Sequence, residues 1–346
     1  MKRVLIYLAV GILALTACGR KGSQGWWEMR GVVLTVDDLA TVDWPKLASE
    51  CGINTIGTHI NPGQVRDFLA TDKGKQFLAG CKEYGITVEH QLHAVNELLP
   101  RELFDQDPSM FRMNEDGERT PDFNCCVHSE KALSMIAENA ASFARVLRAD
   151  NHRYYYWLDD GAPVCMCPSC KDLSASDQAL IIENRMLEAI REVDPEAMVA
   201  HLAYYRTLEA PAKVKPDQGI FLEFAPIFRS WERPLCDTAA VAHPDFPPMT
   251  NGENLRYLED NLKVFPASTA VVLEYWLDVS LFSRWKKPAV ELPWNGDVFR
   301  QDISTYASYG IRNVTSFAVY MDDAYFARFP STAALKEYGT ALAEYK

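Results

Sequence analysis

The stretch Y-Y-Y-W-L-D-D-G-A-P-V-C-M-C-P-S-C, residues 154–170, decides how the chain is read. Its aromatic run suits a buried, pleated strand. Two acids, Asp159 and Asp160, end that strand, and Gly161 leads into a loop carrying Cys165, Cys167 and Cys170. A helical pattern over 177–193 follows. Strand, acid-bearing loop and helix make one unit, and the unit recurs on both sides of it.

Upstream, a strand over 31–36 ends at Asp37 and Asp38 and precedes a helix over 44–50. A second over 53–60 holds His59 and precedes a helical stretch over 64–84. A third over 86–93 carries His90 and His93; after a long excursion comes a helix over 129–147 with Ser129 as its N-cap. Downstream, a strand over 198–204 ends at Tyr204 and has only a short, proline-punctuated connection. Strands over 219–224, 270–275 and 313–319 follow, with helices over 253–264, 296–308 and 332–345. Eight such units predict an α/β protein, a single-domain (β/α)8 TIM barrel. The repeats G-I-N-T at Gly52, G-I-T-V at Gly85 and G-I-R-N at Gly310 put glycine between helix and strand, as helix C-termini favour. A doubly wound sheet is the alternative, but its Gly-rich phosphate turn after an early strand is missing.

In such a barrel the C-terminal strand ends surround the active site, and an acid closes most of these strands. Glycoside hydrolysis needs two groups flanking the bond, one protonating the leaving oxygen and one attacking or activating water. Glu223, in I-F-L-E-F-A-P, and Glu274, in V-V-L-E-Y-W-L-D, sit in apolar runs where burial raises a carboxyl pKa. With Asp160 they are the catalytic candidates; the competing reading is a glutamate satisfied by an arginine. Adjacent Asp159 and Asp160 point to opposite faces, and Gly161 leaves Asp160 at the lip. Substrate-binding candidates are His93, Asp159, Tyr204, Tyr275, Trp276 and Asp322. Trp157, Trp285 and Trp294 are further stacking candidates, although strand aromatics are commonly core. His90 and His93 lack the H-E-x-x-H spacing of a catalytic metal site.

Among nine cysteines, Cys51 and Cys81 read as small buried apolar residues. Three sulfurs within six positions are too crowded to pair among themselves. With Cys126 they form a tetrahedral set, Cys126, Cys165, Cys167 and Cys170, suited to structural zinc, with His128 or Cys125 as substitute fourth ligands. Disulfides are the rival reading in an exported protein.

Export is expected from the first residues: Lys2 and Arg3, a short apolar run, then Leu15, Thr16, Ala17 and Cys18, similar to a bacterial lipoprotein box. That gives a signal peptide over 1–17, lipidation at Cys18, a flexible tether over 18–29 and the barrel over 30–346, held at a periplasmic or outer surface through lipid. The formal charge is −12, and loss of the basic leader makes it more negative. Nucleic acid is a poor partner for such a domain.

The run from His93 through Leu98 to Pro100, D-P-S-M-F-R at Asp107, D-G-E-R at Asp116 and N-C-C-V-H-S-E at Asn124 resembles the domain of unknown function 4838. Asp160–Gly161, the cysteine run and A-Y-Y at Ala203, then P-A-K-V-K-P, continue the same order. Such proteins are mostly bacterial, common in gut Bacteroidetes, and related to α-glucuronidase and hexosaminidase barrels. Part of the group forms glycoside hydrolase family 163, acting on β-N-acetylglucosaminide linkages of N-glycans. The resemblance implies a carbohydrate-active barrel with glycan as partner and no organic cofactor. A hexosaminidase-like reaction implies Asp160 orienting the substrate acetamido group, with Glu223 or Glu274 as acid. The alternative is a non-catalytic glycan-binding lipoprotein on the same scaffold.

Overall fold

The computed structural model describes residues 25–346; the signal peptide, Cys18 and most of the tether lie outside them. Eight parallel strands form one closed ring in sequence order, and β1 (Met29–Thr35) pairs with β8 (Asn313–Phe317) to shut it. Between them run β2 (Thr55–His59), β3 (Thr87–His93), β4 (Arg153–Trp157), β5 (Met198–Ala203), β6 (Ile220–Phe224) and β7 (Val271–Glu274). The fold is a (β/α)8 TIM barrel.

Helices α1 (Val36–Thr41) and α2 (Trp44–Glu50) follow β1, and α3 (Pro62–Ala70) and α4 (Asp72–Tyr84) follow β2. The short α5 (Val95–Leu98) and the long α6 (Glu130–Val146) follow β3, and α7 (Ala175–Ile190) follows β4. Then come α8 (Asn251–Leu262) after β6, α9 (Val279–Phe282) and α10 (Gly296–Ser308) after β7, and α11 (Asp323–Arg328) and α12 (Ala333–Glu344) after β8. No helix among the described residues is long and apolar enough to cross a membrane.

The helical pattern over 64–84 is two helices. Thr71 is extended, and its Oγ1 accepts a hydrogen bond from the Gly74 amide at 3.0 Å to start α4 anew. A Cβ on Gly74 would lie 2.2 Å from the Phe68 carbonyl oxygen, so the close turn requires glycine there. The glycines of the three G-I repeats all have positive φ. No α-helix joins β5 to β6. Asp177 of α7 holds the substitute segment instead, accepting from the amides of Ala212, Lys213 and Val214 at 2.7–3.0 Å.

Two apolar clusters result. One fills the space between strands and helices. The other lies inside the ring and includes Val33, Tyr155, Trp157, Phe221, Leu273 and Tyr275. Since side chains alternate along a strand, this inner set fixes the parity of every strand: Glu223, two residues from Phe221, faces inward, whereas Glu274, between Leu273 and Tyr275, faces outward.

Candidate active site

At the C-terminal mouth of the ring lies a cavity of about 380 Å3. Its floor is Trp157, the last residue of β4, whose ring packs edge-on against His93 at 5.0 Å between centroids and near His59 at 5.8 Å. Both histidines are held by main-chain oxygens. His59 Nδ1 donates to the Gln91 carbonyl at 2.6 Å, and His93 Nδ1 donates to the Leu158 carbonyl at 2.7 Å. Each therefore turns Nε2 away from its backbone anchor. Burial, with His93 nearby, pushes the His59 pKa down to about 3, so it stays neutral.

Two carboxyl groups line the cavity, Asp160 and Asp278. Asp160 follows β4, its side chain is 66 % exposed, and Oδ1 lies 3.8 Å from His93 Nε2. Tyr204 stands beside it, its phenol pushed up by burial and then by the Asp160 charge. Asp278 is the N-cap of α9 and is buried. Its Oδ1 accepts from the Ser280 amide at 3.1 Å, the Ser280 hydroxyl at 2.6 Å and the Leu281 amide at 3.3 Å. Oδ2 has no protein donor among the described residues. Burial pushes the Asp278 carboxyl up to about 7, against those hydrogen bonds and with a small addition from the charge of Asp38. Tyr275 lies among Tyr204, Asp278 and Asp160, whose charges add to burial in raising its phenol. A carboxyl that keeps its proton to neutrality and shares one cavity with a second, accessible carboxyl is an arrangement suited to acid/base chemistry.

Trp285 reaches over the mouth from the loop after α9. It is 55 % exposed, and both Arg284 and Trp285 have positive φ, 53° and 54°. Two consecutive non-glycine residues in that region store local strain. The ring also lines a second cleft of about 570 Å3, walled by Trp231, His243 and Phe246, so one indole joins the two spaces.

Of the residues singled out from sequence, His59, His93, Trp157, Asp160, Tyr204, Tyr275 and Trp285 come together here. The others do not. Glu274 faces the helical layer, where its Oε1 accepts from Arg229 Nη1 at 2.7 Å and from the Tyr306 hydroxyl at 2.6 Å. The competing reading, a buried glutamate satisfied by arginine, describes it. Trp276 is in the same layer, its indole donating to Asp302 at 2.9 Å and its ring against Phe299. Asp159 is a clasp: it accepts from Arg101 at 2.9 Å, the Asn96 amide at 2.9 Å and the Asn124 amide at 2.6 Å. Asp322 caps α11 through the Tyr325 amide at 2.9 Å and pairs with Lys287 at 2.5 Å. Among the additional aromatics, Trp294 is tied to Glu337 at 2.7 Å, outside the mouth.

Glu223 is inside the ring but beneath the floor. Its Oε2 accepts from Trp157 Nε1 at 2.7 Å, while Oε1 is buried with no partner. Burial holds its carboxyl well above the usual range; through its hydrogen bond to Trp157 it braces the floor, and it is not among the residues lining the cavity. Glu223→Gln, which retains an acceptor for the indole, is expected to keep the urea midpoint and near-ultraviolet circular dichroism of wild type. Glu223→Leu leaves the Trp157 N–H unpaired, at about 1–3 kcal/mol, and changes the near-ultraviolet circular dichroism. A Gln variant as perturbed as the Leu variant refutes the bracing role.

The model of the domain of unknown function family DUF4838 matches residues 61–269. The chain belongs to the DUF4838 family. No curated protein sequence matches it. Among solved structures this DUF4838 barrel is similar to a β-N-acetylhexosaminidase, at 10 % identity and a TM-score of 0.53 over 92 % of this chain and 72 % of that one. It is also similar to a glycoside hydrolase family 20 β-N-acetylglucosaminidase, at 9 % identity and 0.51 over 92 % and 69 %. At such identities the likeness is one of fold: a glycoside-hydrolase-like barrel.

Asp278 went unnoticed in the sequence. W-L-D-V-S-L reads as an aspartate capping a helix, which it is; its place in the site comes from burial at the mouth, which no local pattern records.

Proposed function

We propose that this DUF4838 chain is a glycoside hydrolase with Asp278 as general acid and Asp160 as the second carboxyl. The observation that carries the reading is that these two acids line one aromatic-walled cavity at the catalytic end of a barrel. In the reaction the bond from the anomeric carbon to the leaving oxygen breaks, and the Asp278 proton goes to that oxygen. The Asp160 carboxylate orients the attacking oxygen, that of water or of a substrate acetamido group; water finally supplies the new hydroxyl, and the proton it gives up restores the Asp278 acid, directly or by way of Asp160. Trp157 and Tyr275 offer apolar faces to the sugar, and His93 offers Nε2 to a hydroxyl.

The substrate class we infer is a glycan containing β-linked N-acetylglucosamine, from the family resemblance. The second cleft, joined through Trp285, supports binding on more than one side of the scissile bond. Reducing-end release from a panel of such glycans tests the activity. Asp160→Asn is expected to reduce kcat at least about 100-fold; full activity in that variant rejects the assignment, and binding without turnover by the wild type favours a glycan-binding role. Trp285→Ala is expected to raise KM about fivefold for long glycans with kcat within about twofold, and to leave short substrates unaffected. Equal effects on short and long substrates contradict the joining role.

We also propose export and lipid anchoring at Cys18, supported by the leader sequence alone. Fatty-acid labelling of the wild type and its loss in Cys18→Ser check this.

A further inference from the structure

Four sulfur atoms, those of Cys126, Cys165, Cys167 and Cys170, lie within 4.8 Å of one another, and all four residues are buried. Cys126 Sγ is 3.8 Å from Cys167 Sγ and 3.9 Å from Cys170 Sγ. A tetrahedron of thiolates about 2.3 Å from a central zinc has sulfur–sulfur edges of about 3.8 Å. A disulfide brings two sulfurs to about 2.0 Å, and one sulfur near three others cannot pair with all of them. We infer that these cysteines bind one zinc ion, at a structural site that ties the β3–α6 excursion to the loop after β4.

The surroundings fit four thiolates. The Met113 amide points to Cys165 Sγ at 3.3 Å, Arg119 Nη1 lies 3.7 Å from the same atom, and His128 Nδ1 lies 3.2 Å from Cys170 Sγ. His128 thus stands beside the sulfur set as a partner to Cys170. Such donors offset the negative charge that four thiolates leave on a divalent ion. The backbone is preorganised as well. The amides of Cys170 and Lys171 both donate to the Cys167 carbonyl at 2.9 Å, making a tight C-P-S-C turn. Gln178 of α7 accepts from the Cys165 amide at 3.1 Å and donates to the Cys165 carbonyl at 3.0 Å. A sulfur-only, closed, tetrahedral set selects zinc over oxygen-seeking cations.

The site also has a consequence for the mouth of the barrel, which rests on the role proposed above for Asp160. Asn124, two residues before Cys126, has a positive φ of 45°. Its amide donates to Asp159, its Oδ1 accepts from the Asp159 amide at 3.0 Å, and its Nδ2 donates to the Pro163 carbonyl at 3.0 Å. Zinc fixes both ends of this clasp, and the clasp fixes the residue next to Asp160. The metal is remote from bond cleavage and serves as a positioning element.

The test is metal analysis of the purified full-length mature protein. One zinc per chain is expected, together with exchange for cobalt(II) giving thiolate charge-transfer absorption and tetrahedral d–d bands. Cys167→Ser is expected to lower zinc content to below about one tenth of a mole per chain, and Cys236→Ser, at an exposed cysteine, to leave it unchanged. Hydrogen exchange of residues 113–127 and 159–172 should rise after chelation. Absence of zinc from wild-type protein prepared with zinc and reductant, stoichiometric iron, or disulfides among the four cysteines in the native protein overturns the inference. These readouts do not depend on turnover, so an inactive but zinc-loaded protein refutes the hydrolase reading and leaves the metal site standing.

Discussion

Asp278→Asn is expected to fold, to bind glycan, and to turn over about 10²–10⁴-fold more slowly than wild type. Asn matches the protonated aspartate in shape, and its Oδ1 still accepts from Ser280 and Leu281, so the α9 cap survives. What disappears is the proton for the leaving oxygen. The pH dependence makes the test specific. The Asp278 carboxyl is raised by burial from an ordinary 3.8 to about 7. Wild-type kcat should therefore fall as pH rises through about 7, as the acid loses its proton. Stability should move in the same sense. Below pH ~4 the group is protonated in both folded and unfolded states; between ~4 and ~7 only the folded state keeps the proton. Folding thus weakens as pH rises through that window, by up to about 4 kcal/mol. The Asn variant lacks this pH dependence, so its urea midpoint at pH 8 should equal or exceed that of wild type while its activity is lost. A folded Asn variant that stays active rejects the general-acid role, and one that is unfolded at pH 8 rejects the raised Asp278 pKa on which that role rests.

The second large effect is one of stability. Arg229 is fully buried and donates through Nη1 to Glu274 at 2.7 Å and to Asp302 at 2.8 Å, with Nη2 on the Arg233 carbonyl at 3.1 Å. Asp302 in turn accepts from the Leu235 amide at 2.6 Å and from Trp276. This network joins β7, the loop after β6 and α10 on the outside of the barrel. Arg229→Met leaves two buried carboxyl groups without their cation, and removal of one partner from such a pair typically costs about 3–5 kcal/mol. Chemical denaturation should register that loss. Lowering the pH should recover part of it, because the stranded acids can then fold protonated. Glu274→Gln is expected to cost less, since the amide still accepts from Arg229 and Asp302 remains its counter-ion. Its kcat per folded molecule should match wild type within about twofold. A kcat loss beyond about 100-fold in a folded Glu274→Gln returns Glu274 to the chemistry.

These two tests separate residues that looked alike on paper. Glu223 and Glu274 each follow three apolar residues and precede an aromatic one. A parallel strand buried on both faces carries apolar side chains in both parities, so neither run announces which side faces the axis. The closed ring decides it: Phe221 and Ala225 are inside and place Glu223 with them, whereas Leu273 and Tyr275 are inside and place Glu274 outside. Trp276 follows the other aromatics only in composition; past the end of β7 it turns into the helical layer. Asp159 and Asp160 are a contrasting case, since adjacency alone required them to diverge and Gly161 marked which would stand at the lip.

By itself the sequence determined the eight strand–helix units, the absence of a helix between β5 and β6, the glycine-bearing helix ends, and the family motifs from His93 to Pro216. All of these depend on residues close together in the chain, where periodicity and backbone preference act. Tertiary structure alone decided which acids share the cavity. Asp278 has its carboxyl raised by burial among segments far from it in sequence, Glu274 is paired with an arginine 45 residues away, and Cys126 meets Cys167 across 41 residues. Burial and charge pairing are properties of the closed barrel, because the desolvation that shifts a pKa exists only once distant strands and loops have excluded water.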